Sequence, residues 1–199
     1  MAADVFQELE KQITAFEAAG KDLVHRALEV AKLAHAGQTR DEGTPYIEHP
    51  VRVALILLKE AAAKDPVEIA AALCHDVLED SSIAAGELKR RTEPRVGEIV
   101  AILTKDPIAS DLTGDARTAA KTARDNRYYH HIAAADETTR RIKCADRVDN
   151  LRCVGSSPEK GKAARYAGET RTHLLPIAKV THPHLAAEID ALSAKHAGK

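Results

Sequence analysis

Aromatic side chains are scarce in this sequence: four Tyr and two Phe make up 3% of it, and Trp is absent. A broad stacking surface for single-stranded nucleic acid is therefore not expected. Charge of one sign is lacking too, with 29 Lys and Arg against 30 Asp and Glu for a formal charge of −1. Nothing in that balance draws the chain to DNA, RNA or an anionic membrane, although local positive charge can still serve a small phosphorylated ligand. Cysteine is limited to Cys74, Cys144 and Cys153. An odd number without metal-ligand spacing reads as core thiols of a cytosolic protein. No apolar run reaches transmembrane length, and Met1 leads into an acidic helical stretch instead of a basic and apolar signal segment, so a cytoplasmic location is expected.

What is present points to helices. Apolar residues form 44% of the 199 positions, and much of that share is Ala and Leu instead of β-branched or aromatic residues. Such a composition favours packed helices, and the length suits one domain with a real core. Apolar spacing predicts helices from about Asp4 to Ala18, ended by Gly20, and from Asp22 to about Ala36. The breaker-rich run 37–45 predicts a loop, and a helix is expected from Pro50 through Leu58. Asp65-Pro66 opens a further helix, expected to run through Val77. Helices follow at Glu87–Arg91, Pro94–Leu103, Arg117–Ala135, Glu137–Val154, Glu159–Ala178 and Leu185–Ala194. Thr104–Asp115 reads as a long surface loop and Gly155–Pro158 as a turn. No internal repeat or domain boundary is evident.

The sharpest chemical signal is the run 73–80, with His75, Asp76, Glu79 and Asp80. On one helix His75 and Asp76 point about 100° apart, and Glu79 and Asp80 stack four residues beyond them. Three carboxylates in the last turns of a helix oppose its dipole, and a bound cation is the simplest remedy. A second run, 142–151, sets Asp146 among small and apolar residues with Asn150 on the same face. An unpaired carboxylate there would be costly, so either an ion or a salt bridge to Arg147 or Arg152 is expected. Asp149 is expected solvated or paired at the rim. His49, in the run 45–50, is by itself a capping or core histidine as readily as a ligand. Together His49, His75, Asp76 and Asp146 would make a mixed nitrogen and oxygen set without thiolate, which favours Mn²⁺ or Fe²⁺ over structural Zn²⁺. His130-His131, beside Tyr128 and Tyr129, reads as an exposed or partner-facing patch, and His173, His182 and His184 fit no metal spacing.

Three ordered segments carry a resemblance: 35–40 with 43–50, then 75–80, then 145–151. They resemble the HD superfamily of metal-dependent phosphohydrolases, and within it the alarmone (ppGpp) hydrolase domain of the RelA/SpoT family and its small stand-alone relatives. The likeness spans roughly residues 23–178. It implies an all-α HD-domain helical bundle, Mn²⁺ held by His49, His75, Asp76 and Asp146, and Glu79 and Asp80 orienting water and handling its proton. It further implies Arg40 on substrate phosphate, Asn150 near the ribose or its phosphates, and Tyr166 against the nucleotide. Lys143 or Arg147 would add positive charge, with a salt bridge beside Asp146 or a solvated face as the alternative. Tyr166 is equally a core or surface tyrosine.

The implied reaction removes the 3′-diphosphate from guanosine 5′-di(tri)phosphate 3′-diphosphate, giving GDP or GTP and pyrophosphate. Its partner would be that small molecule, with no nucleic acid or membrane. Too little chain follows the last helices for a synthetase domain, so degradation without synthesis is expected. One departure stands out: the family usually has a lysine after the loop arginine, and here that place is Asp41. An HD phosphohydrolase acting on another nucleotide or a phosphomonoester is the alternative.

Overall fold

Capping side chains and prolines start several helices where the sequence announces them. The computed structural model describes residues 4–41 and 43–197, so Glu42 of the expected loop and both chain ends lie outside the description. Asp4 accepts from the Phe6 N–H at 2.9 Å to open α1 (Val5–Ile13). Asp65 does the same for Val67 in α4 (Pro66–Leu73), and Asp136 for Thr139 in α9 (Glu137–Cys153). Each cap satisfies an N–H that the helix itself leaves unpaired. Between these run α2 (Ala18–Ala34), α3 (Glu48–Lys59), α5 (Val77–Asp80), α6 (Ala85–Arg91), α7 (Pro94–Leu103) and α8 (Gly114–Ala134). A 3₁₀ turn (Val154–Ser156), α10 (Lys162–Glu169), a π-helical turn (Thr170–Leu174), α11 (Leu175–Lys179) and α12 (Pro183–His196) complete the order. The described residues contain no sheet, only an isolated bridge between Thr39 and Pro45, so the expected all-α class holds. No helix of the described residues is long and apolar enough to cross a membrane.

The centre of the bundle is α4. Ile69 through Cys74 are fully buried, and α2, α3, α7 and α9 all pack on this helix. Its run of small alanines lets neighbours approach on every side, which suits a helix with no solvent-facing stripe. Gly20 does not end the first helix as expected. It lies inside α2 at the crossing with α4, where a Cβ would come within 3.0 Å of the Pro66 ring, so glycine here permits close packing.

A second correction concerns α4 itself. The helix stops at Leu73, and Cys74, His75 and Asp76 form a turn before α5. Cys74 (φ −102°, ψ 3°) and Asp76 (φ −100°, ψ −3°) have bridge-region backbone. His75 and Asp76 are thus presented by a break between helices. The dipole argument for a cation loses its footing, because Glu79 and Asp80 belong to a separate four-residue helix.

Residues 38–46 make a small two-armed loop. Arg40 N–H donates to Thr44 O at 2.9 Å and Tyr46 N–H to Gln38 O at 3.0 Å. Gly43, at φ +82°, makes the left-handed turn that closes it. The loop holds Arg40 beside Asn150 of α9, and Asp41 beside Ser157 and Lys162.

Candidate metal centre

Three chain segments meet at one buried point. α3 supplies His49 from its first turn, the α4–α5 break supplies His75 and Asp76, and α9 supplies Asp146. His49 is 1% exposed, His75 and Asp146 3% each. Ligand atoms of His49, His75 and Asp76 all lie within 4.8 Å of one another. Asp146 Oδ1 joins them at 3.3 Å from His49 Nε2 and 3.7 Å from His75 Nε2.

Hydrogen bonds on the far side of each ring fix which nitrogen faces this point. His75 Nδ1 is 2.8 Å from Ala72 O, a group that only accepts, so Nδ1 carries the proton and the ring turns Nε2 inward. His49 Nδ1 donates to Asp149 Oδ2 at 2.6 Å with the same result. Asp149 is 2% exposed and is also held by Arg52 Nε at 2.7 Å. This corrects the rim position expected for Asp149: it orients a buried imidazole, as carboxylates do behind metal-bound histidines.

The donor set fits a divalent cation. His75 Nε2 is buried without a hydrogen-bond partner and stands 3.1 Å from Asp76 Oδ2. Two imidazole lone pairs facing two carboxylates in the dry interior repel one another unless positive charge lies between them. Burial opposes charging His75, yet Asp76 and Asp146 push its pKa well above the ordinary value. Burial likewise opposes ionisation of Asp146, but Lys143 and both histidines hold it well below the usual carboxylate range.

Around this point stand further polar residues, some of them marked in the sequence and others not. Tyr46 OH donates to Asp76 Oδ2 at 2.7 Å. Glu79 and Asp80 lie at the solvent-facing rim. Partial desolvation, with the Asp76 charge, raises the pKa of both, while the Lys105 N–H, 2.6 Å from Glu79 Oε1, opposes the rise for Glu79. Lys143 Nζ lies 2.7 Å from Asp146 Oδ2. Asn150 Nδ2 donates to Asp146 Oδ1, and Arg40 Nη2 donates to Asn150 Oδ1 at 2.8 Å. This chain of polar contacts leads outward to a cavity of about 300 Å³ lined by Arg40, Asp41, Tyr46, Asn150, Lys162 and Tyr166, among others.

Arg147 neither pairs with Asp146 nor faces solvent, as the two sequence expectations had it. It is 2% exposed, donates to Thr170 Oγ1 at 2.7 Å and to the Tyr129 hydroxyl, and stacks on Tyr166 with its guanidinium carbon 4.1 Å from the ring centre. Tyr128 and Tyr129 are correspondingly buried, whereas His130 and His131 are exposed. Sequence reasoning missed Asp149, Arg52, Tyr46 and Lys105. The available signal for Asp149 was its place three residues after Asp146, on the same side of α9.

The comparisons with known proteins agree with this geometry. The HD domain family profile matches residues 27–179. A guanosine-3′,5′-bis(diphosphate) 3′-pyrophosphohydrolase of Aquifex aeolicus is 33% identical over 172 residues, 86% of this chain and 23% of that protein. The bifunctional (p)ppGpp synthase/hydrolase SpoT of Escherichia coli K12 is 34% identical over 173 residues, 85% of this chain and 23% of that protein. A probable GTP pyrophosphokinase of Mycobacterium leprae is 35% identical over 161 residues, 80% of this chain and 19% of that protein. The chain thus spans about a fifth of the length of these curated relatives. A solved structure, described as a metazoan ortholog of SpoT that hydrolyzes ppGpp and plays a role in starvation responses, shares the fold with a TM-score of 0.74 at 24% identity, covering 90% of this chain and 96% of that one. With an HD profile over most of its length, a buried His-His-Asp cluster able to hold a metal, and relatives at 33–35% identity, the chain belongs to the HD-domain family and is related to the RelA/SpoT proteins.

Proposed function

We propose that the chain removes the 3′-diphosphate from guanosine 5′-di(tri)phosphate 3′-diphosphate, releasing GDP or GTP and pyrophosphate. The observation that carries this reading is the polar path from Asp146 through Asn150 to Arg40, which joins the ion centre to a pocket with basic side chains. A ligand with a phosphate group at the centre and a nucleoside outside it suits that layout.

In this reading His49, His75, Asp76 and Asp146 hold Mn²⁺. The chemistry an ion supplies there is acidification of a water and screening of phosphate charge. Glu79 and Asp80, with pKa values raised from the ordinary carboxylate range, take up and return the proton at the rim. Arg40 presents a planar fork to phosphate, a geometry that favours paired hydrogen bonds. Lys143 offsets further charge, Asn150 meets the ribose side, and Tyr166, steadied by Arg147, lies against the nucleotide.

A second reading, hydrolysis of another nucleotide or a phosphomonoester by the same centre, draws on Asp41, an anion at the pocket wall. Turnover of several nucleotides with Mn²⁺ separates the two. Pyrophosphate release from the guanosine alarmone, with little phosphate release from the rest, is expected. No alarmone turnover where another nucleotide is cleaved would establish the second reading instead.

A further inference from the structure

Asp41 raises the question of which cation meets a polyphosphate at the outer end of the pocket. Its carboxylate is already engaged: Oδ2 accepts from Ser157 Oγ at 2.9 Å and from Lys162 Nζ, 121 positions away in the chain. Gly161, with a left-handed φ of +76°, caps the start of α10 and leaves Lys162 as its first residue. Asp41, Ser157 and Lys162 line the same cavity as Arg40, Asn150 and Tyr166.

An ion pair this exposed, with side chains 36% and 46% accessible, adds little to stability. Its consequence lies in where it sets an ammonium. Arg40 is tied through Asn150 to Asp146 of the ion centre, whereas Lys162 lines the same cavity from the start of α10, held to Asp41. Both cations line the cavity, one linked to the ion centre and the other to Asp41. A nucleotide with phosphate on both sides of its ribose needs positive charge at two ends, and the ion centre serves only one of them. Asp41 alone would repel the outer phosphate. An ammonium has three N–H donors and no acceptor, so Lys162 can hold Asp41 and a phosphate oxygen together.

Building on the alarmone-hydrolase reading, we propose that Lys162 binds the 5′-phosphates of the substrate and that Asp41 and Ser157 are positioning residues that keep its ammonium at the pocket wall.

The test uses the Mn²⁺-loaded full chain and calorimetric titration with GDP and, separately, guanosine. Lys162→Ala is expected to weaken GDP on the order of tenfold, the loss of one charge-assisted contact, and to leave guanosine unchanged. Adding Asp41→Lys to that variant is expected to recover most of the GDP affinity by restoring a cation on the loop, whereas adding Asp41→Ala, which only removes the anion, is expected to recover little, and full recovery there would overturn the direct contact. Unchanged GDP affinity in Lys162→Ala, an equal loss for guanosine, no recovery with Asp41→Lys, or no GDP binding by the wild type would each overturn the assignment. Failure of the parent reading is distinguishable. A chain that binds GDP through Lys162 but releases no pyrophosphate from the alarmone refutes the reaction and keeps the lysine; alarmone cleavage with GDP binding indifferent to Lys162 does the reverse.

Discussion

His49 and Asp149 are joined by a 2.6 Å hydrogen bond between buried groups, and Arg52 completes the arrangement from α3. Sequence reading treats Asp149 as a rim residue because nothing local announces Arg52, 97 positions away. Burial of an acid becomes affordable only through partners that folding brings in. Asp149→Asn removes the charge behind His49, and Mn²⁺ affinity is expected to fall on the order of 10- to 100-fold, read by calorimetry. Glu79 is different, since it stands at the rim and not among the ligand atoms. Glu79→Gln is expected to lower turnover by about 10²- to 10⁴-fold while Mn²⁺ content stays unchanged, checked by metal analysis beside the rate. Equal loss of metal would move Glu79 into the ligand set.

At the scale of elements, a helix start was legible where Asp precedes Pro, as at Asp65, whose side chain caps α4. The break after Leu73 was not. Leu73, Cys74 and Val77 are all buried, so the apolar pattern runs on unbroken while the backbone turns. Periodicity records burial, and a break inside the core leaves burial unchanged. α4 also carries Glu68, 4% exposed, whose carboxyl burial pushes up to about 7 even though Arg141 of α9 lies 3.0 Å away and opposes the shift. The folded chain then binds more protons here than the unfolded one between about 4.5 and 7. Its contribution to stability is full below that window and lost as pH rises through it, a loss of up to about 3 kcal/mol. Denaturant unfolding at about pH 5 and about pH 8 is expected to show this fall in the wild type and a smaller one in Glu68→Gln. Identical pH dependence in the two would place the Glu68 carboxyl near its ordinary value.

Across the whole molecule, the ordered segments around His49, His75-Asp76 and Asp146 were legible because each keeps its chemistry within a few residues, and the fold brings three of them, His49, His75 and Asp76, into one cluster, with Asp146 beside it. The counterpart of Asp41 was not legible, because Lys162 reaches it only through the turn that opens α10. Arg147 shows the same limit: a charged residue in a motif reads as surface until Tyr129, Thr170 and Tyr166 are folded around it. The most direct measurement is pyrophosphate released from the guanosine alarmone by the Mn²⁺-loaded chain, set beside bound Mn²⁺, for the wild type and Asp76→Ala. One pyrophosphate per GDP formed in the wild type, with both release and bound metal lost in Asp76→Ala, is the expected result; undiminished release and metal content in the variant would contradict the centre built on His49, His75, Asp76 and Asp146.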